Sequence, residues 1–81
     1  MSRNNNSIDE AVTRNLERYF RDLEGARPQA VYDMVIQAVE RPMLEVVMRQ
    51  AQGNQLRASA MLGINRNTLR KKLINHGLLG Q

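Results

Sequence analysis

An all-α fold of four helices is predicted for this chain, and three observations carry it. Apolar residues recur three and four apart through two long stretches, the spacing of one helical face. No segment alternates apolar and polar residues as a half-buried strand does. Gly and Asn fall at the breaks between stretches, where they stop one helix and cap the next. The 81 residues make one domain at most.

The first helix is predicted over 8–23. Ser7-Ile8-Asp9-Glu10 reads as a capping box, the Ser7 hydroxyl accepting from the third helical N–H and Glu10 reaching back to the Ser7 N–H. Asp9 and Glu10 also suit the positive end of a helix dipole. Ile8, Ala11, Val12, Leu16, Tyr19, Phe20 and Leu23 make the apolar face. Gly25 offers a left-handed stop and Pro28 forbids continuation. Residues 1–7 are predicted to be a disordered tail.

The second helix is predicted over 28–51, with Pro28 at its first position. Between Val31 and Ala51, 13 of 21 residues are apolar. Asp33, Gln37, Glu40, Arg41, Glu45 and Arg49 share one narrow polar stripe. A helix apolar over most of its circumference must be buried on more than one side. Nothing else in so small a chain can cover it, so a second copy of the same helix is the economical cover. The expected dimer core is Val31, Val35, Ile36, Val39, Met43, Val46 and Val47. Pro42 lies in the middle, yet Val35, Ala38, Val39, Met43 and Val46 keep one helical phase across it. That predicts a kinked but continuous helix in which the Ala38 carbonyl loses its usual N–H donor. Residues 8–52 are thus a dimerisation region.

Gly53-Asn54 ends the long helix and caps a short one over 55–62. Gly63-Ile64-Asn65 is a tight turn with Asn65 as a second cap, and the last helix runs over 66–75 until Gly77 stops it. Residues 53–81 therefore read as a helix-turn-helix. The motif needs a small residue where its helices cross, and Ala58 supplies it. Its turn needs a residue tolerant of positive φ, and Gly63 supplies that. Leu62, Ile64, Leu69 and Leu73 fill the angle between the helices. Arg66, Asn67, Arg70 and Lys71 are then left facing outward, with Thr68 and Lys72 alongside.

Charge follows the same division. The chain carries 12 Lys and Arg against 8 Asp and Glu. Residues 1–50 hold seven basic and all eight acidic side chains; residues 51–81 hold Arg57, Arg66, Arg70, Lys71 and Lys72 and no acid. Such asymmetry points to a polyanionic partner for the C-terminal part. Arg can fork onto the O6 and N7 of guanine, and Asn can do the same for adenine. These residues sit at the helix N-terminus, where a recognition helix meets base edges in the major groove. The expected DNA-binding set is Asn54, Arg57, Asn65, Arg66, Thr68, Arg70, Lys71 and Lys72. A protein-interaction hairpin whose basic tail docks an acidic partner is the competing reading; failure to shift random duplex DNA at low salt would favour it.

The stretch GNQLRASAMLGINRNTLRKKL, together with RNLERYF and ERPMLEVVM upstream, resembles the Fis proteins, bacterial nucleoid-associated factors for inversion stimulation. The resemblance covers about residues 8–78. The terminal motif alone also occurs in the output domains of nitrogen-regulator-type enhancer-binding proteins. The resemblance implies an intertwined homodimer of the first two helices, with Asn54, Asn65, Arg66, Thr68, Arg70 and Lys71 at DNA-contacting positions. Arg66 would be the principal guanine reader. It also implies recognition helices set too close for straight DNA, so that the duplex bends and sites are degenerate palindromes with A/T-rich centres. Leu56 stands where familiar members carry a phosphate-bonding Thr, Ile74 and Asn75 replace lysines, and Ser59 replaces an alanine. The few residues before Ile8 are too short for the N-terminal arm with which such proteins activate invertases, so the expected role is DNA binding, bending and transcription regulation, without invertase stimulation. RNA polymerase contact is the further partner the resemblance raises.

Other classes find no support. No cysteine means no disulfide and no thiolate metal site, and one histidine offers little to a metal. A chain this short buries only about 60–65% of its unfolded surface, so oligomerisation is the remaining staple. No signal peptide and no membrane span are recognised, and the expected location is the cytoplasm and nucleoid. No phosphate loop and no nucleophile–base pair appear, so no enzyme activity, cofactor or small-molecule ligand is expected. His76 is read as a surface or helix-capping residue.

Overall fold

The computed structural model describes residues 4–79. Four helices follow one another: α1 (Asn4–Leu23), α2 (Val31–Gln50), α3 (Gln55–Leu62) and α4 (Arg66–Asn75). No strand occurs among the described residues. The all-α expectation holds, and α3 and α4 run over the residues that their cap and glycine signals bracket.

Two helix starts differ from the sequence reading. α1 begins at Asn4, so Ser7 lies inside the helix and cannot act as its N-cap. No Gly or Pro separates Asn4 from Ser7, and nothing stops the helix from running back one turn. The disordered tail expected over residues 1–7 is thereby replaced by helix from Asn4; residues 1–3 lie outside the described residues. α2 begins at Val31 rather than Pro28. Ala30 has a φ of 52°, which takes the chain off the helical path between the proline and Val31. The Ala30 carbonyl still accepts from the Met34 N–H at 3.0 Å and so opens the helical ladder. Downstream, α2 passes through Pro42 without interruption, as the conserved helical phase across it predicts.

The chain divides into two compact units, one up to Val35 and one from Ile36 onward. The first holds α1, the connecting segment and the first turn of α2. Along α1, Val12, Leu16, Tyr19 and Leu23 are half-buried, while Ile8 and Phe20 are exposed. The Tyr19 and Phe20 rings meet edge to face, with centroids 5.3 Å apart. No side chain described in this unit is fully buried.

The second unit has a closed core. Leu44 from α2, Ala51 from the turn that follows it, Ala58 from α3, and Leu69 and Leu73 from α4 are at most 1% exposed. Val47, Met48, Leu62, Ile64, Leu78 and Leu79 pack around them. Turn chemistry fixes the helices here. At the end of α2 the Gly53 N–H reaches the Met48 carbonyl at 2.9 Å and the Gln52 N–H the Arg49 carbonyl at 3.0 Å. This is a Schellman closure whose left-handed position falls on Gln52, at φ 55°. The end of α4 repeats the pattern on Gly77, with Leu78 N–H to Leu73 carbonyl at 2.8 Å and Gly77 N–H to Ile74 carbonyl at 3.0 Å. Gly63 turns α3 into α4 at φ 76°; a Cβ there would meet open space, so the requirement is backbone conformation alone.

One face of α2 stays uncovered. Ile36, Val39, Met43 and Val46, spaced three and four apart, are 36–45% exposed. They belong to the expected dimer core, of which Val31, Val35 and Val47 are half-buried.

Candidate nucleic-acid interface

Two asparagines set the register of the basic helices. Asn54 Oδ1 accepts the Arg57 N–H at 2.9 Å and caps α3. Asn65 Oδ1 accepts the Asn67 N–H at 2.7 Å and caps α4. Each cap satisfies a donor that the first turn of a helix leaves free and keeps other N–H groups of that turn pointing outward. Gly53, Asn54, Gln55 and Leu56 on one side, with Arg66, Asn67 and Arg70 on the other, line a shallow cleft between the two helix starts.

Burial divides α4 into two faces. Leu69 and Leu73 point into the core, and Ala58 with Ser59 forms the crossing from α3. Ser59 satisfies its hydroxyl within its own helix, donating to the Leu56 carbonyl at 2.8 Å. Arg66, Asn67, Thr68, Arg70 and Lys71 are all exposed on the other face, as are Asn54, Arg57 and Asn65 nearby. Seven of the eight residues expected to meet DNA are thus exposed at the surface, Asn54 and Asn65 with their Oδ1 atoms engaged as caps. No acid lies within residues 51–81 to compete for them.

Lys72 is the exception. Its ammonium lies 2.7 Å from Glu40 Oε2 on α2. The other carboxylate oxygen, Glu40 Oε1, lies 2.9 Å from His76 Nε2. A carboxylate only accepts, so His76 Nε2 carries the proton of that bond. The His76 side chain is 4% exposed and Glu40 14%. His76 is the C-cap of α4, the second of the two expected places for it, and its side chain is buried rather than at the surface. Beside Glu40, Arg41 Nη1 donates to the His76 carbonyl, and Arg41 Nε lies 3.5 Å from Glu45 Oε2. The bonds from Lys72 and His76 hold the Glu40 carboxyl below its ordinary value of 4.5, against partial desolvation, which pushes the other way.

Glu40 is the residue that the sequence reading missed. The spacing holds half of the signal: Lys72, Leu73 and His76 lie three, four and seven residues after Leu69, beside one inward face of α4, but nothing in it names the partner. A polar pair on a buried face requires a polar partner.

A small residue buried at a helix crossing, a left-handed glycine turn and a second helix with an exposed basic face define a helix-turn-helix module. The family model of the bacterial regulatory proteins of the Fis family matches residues 35–74. A Fis-like DNA-binding protein of Neisseria meningitidis serogroup A is 61% identical over 72 residues, covering 89% of this chain and 91% of that protein. A Fis-like DNA-binding protein of Ralstonia nicotianae is 58% identical over 79 residues, 98% of this chain and the whole of that protein. The chain belongs to the Fis family.

Proposed function

We propose that this chain is a homodimeric protein that binds and bends double-stranded DNA, reads the major groove with α4, and regulates transcription as a nucleoid component of the cytoplasm. The observation that carries the reading is the exposed face of α4: Arg66, Asn67, Thr68, Arg70 and Lys71 on a capped helix, in a stretch, residues 51–81, that holds no acid. Arg66 stands at the helix start and is the proposed guanine reader; Asn65 is a base-edge and backbone contact. Asn54, Arg57, Thr68, Arg70 and Lys71 hold phosphates, helped by the free N–H groups at both helix starts. Lys72 is left out of this set because Glu40 occupies its ammonium.

The names of the two relatives support DNA as the ligand, and the uncovered stripe Ile36, Val39, Met43 and Val46 supports a second copy as the partner. A regulatory family agrees with a chain that performs no reaction. Among the described residues no helix is long and apolar enough to cross a membrane.

Gel shifts on a selected site and on variants of it test the reading. Arg66→Ala costs about 1–3 kcal/mol of affinity and flattens discrimination at one guanine in each half-site. An equal loss on every sequence contradicts base reading by Arg66. Affinity falls steeply with salt because neutralised phosphates release counterions.

A further inference from the structure

We propose that Glu40 is a specificity-determining positioning residue that clamps the recognition helix to the long helix, and that Lys72 belongs to this clamp and not to the DNA interface. The inference rests on the DNA-reading role of α4 proposed above.

The grip is concentrated at one end of α4. Glu40 holds the Lys72 ammonium with one oxygen and the His76 ring with the other, at 2.7 and 2.9 Å. Lys72 and His76 are one turn apart, so a single carboxylate engages two successive turns of α4. Arg41, the next residue of α2, takes the carbonyl of His76. Two adjacent residues of the long helix therefore fix both the rotation and the height of the last turn of α4. The core leucines leave rotation less determined: they are apolar, and apolar contact is not directional. The hydrogen bonds of Glu40 are directional, and the one to His76, whose side chain is 4% exposed, is the costlier to break; the Lys72 side chain is 35% exposed.

The consequence for DNA follows from geometry. In a dimer joined through the apolar face of α2, the angle between α2 and α4 sets how far apart the two recognition helices stand. The clamp lies at the end of α4 opposite Arg66 and touches no base, yet loosening it lets the start of α4 swing. Glu40 then decides how narrow a range of half-site spacings is accepted.

The test compares full-length wild type with Glu40→Gln, Lys72→Met and Lys71→Met. Binding selections use duplex pools in which two fixed half-sites are separated by a randomised number of base pairs. Wild type is expected to enrich one narrow spacing, and Glu40→Gln a broader range at similar affinity for the best site. In salt titrations Lys71→Met lowers the log–log slope by about 1, as loss of a phosphate contact does, while Lys72→Met leaves it unchanged. An unbroadened spacing in Glu40→Gln, or a slope lowered equally by Lys72→Met, overturns the proposal. Residual dipolar couplings on free protein report the α2–α4 angle without DNA; Glu40→Gln is expected to spread it, and an angle as narrow as in wild type overturns the clamp. Absence of DNA binding by wild type overturns the interface reading instead, and the couplings still decide the clamp.

Discussion

The two halves of this chain solve the same problem by different means. From Leu44 to Leu79 the protein buries five apolar side chains almost completely, among helices joined by caps and left-handed turns. Through α1 and the front of α2 it has as many apolar residues at helical spacing, yet none described before Leu44 is buried. The first region closes on itself; the second leaves its described apolar side chains exposed or half-buried. The difference lies in the sequence between elements. Glycines and asparagines at residues 53–54, 63–65 and 77 bring three helices together over short turns, whereas the 20-residue α1 is followed by one glycine break, at Gly25.

This contrast can be broken at several points. The largest effect is expected from Val39→Asp, which puts a carboxylate on the uncovered face of α2. If a second copy covers that face, burying the unpaired charge costs the dimer about 3–5 kcal/mol, and sedimentation shows monomers at micromolar concentration. Hydrogen exchange then shows protection lost in α1 but kept in α3 and α4. Leu69→Ala attacks the other half. Removing a fully buried leucine costs about 2–5 kcal/mol in denaturant unfolding, and α3 and α4 lose protection first.

Acid offers a milder probe of the same unit. Because the folded Glu40 carboxyl titrates below its ordinary value, its contribution to stability is complete above about pH 4.5 and is lost as pH falls through the lowered folded value. Thermal melts of Glu40→Gln are expected to lack that acid-side decline, whereas wild type shows it. The smallest effect is a gain. Gln52 holds a left-handed φ of 55° that glycine adopts freely, so Gln52→Gly is expected to stabilise the C-terminal unit by about 0.5–1 kcal/mol in denaturant titration.

Much of this was legible in the residues, for reasons that differ by element. α3 and α4 could be bounded because each begins at an asparagine that caps and ends at or near a glycine that turns; those signals are local and act locally. The passage of α2 through Pro42 was legible because helical phase is a long-range property that one missing hydrogen bond does not reset. The starts of α1 and α2 were not, since Ser7 and Pro28 permit a helix start without compelling one. For the interface, Arg66, Asn67, Arg70 and Lys71 could be placed outward once Leu69 and Leu73 were placed inward. Lys72 could not. A lysine on a basic helix reads the same whether its ammonium meets a phosphate or a carboxylate 32 residues earlier in the chain, and only the fold brings Glu40 to it. His76 was legible as a helix cap, but its buried contact with Glu40 was hidden for the same reason.

A binding selection from random duplex DNA, followed by gel-mobility bend assays on the winning sites, tests the central claim most directly. A closed helix-turn-helix unit carried in two copies on a shared α2 seam predicts a two-fold symmetric, degenerate site with a guanine in each half, an A/T-rich middle and a bend. Enrichment of asymmetric single half-sites, or no enrichment over the starting pool, contradicts it.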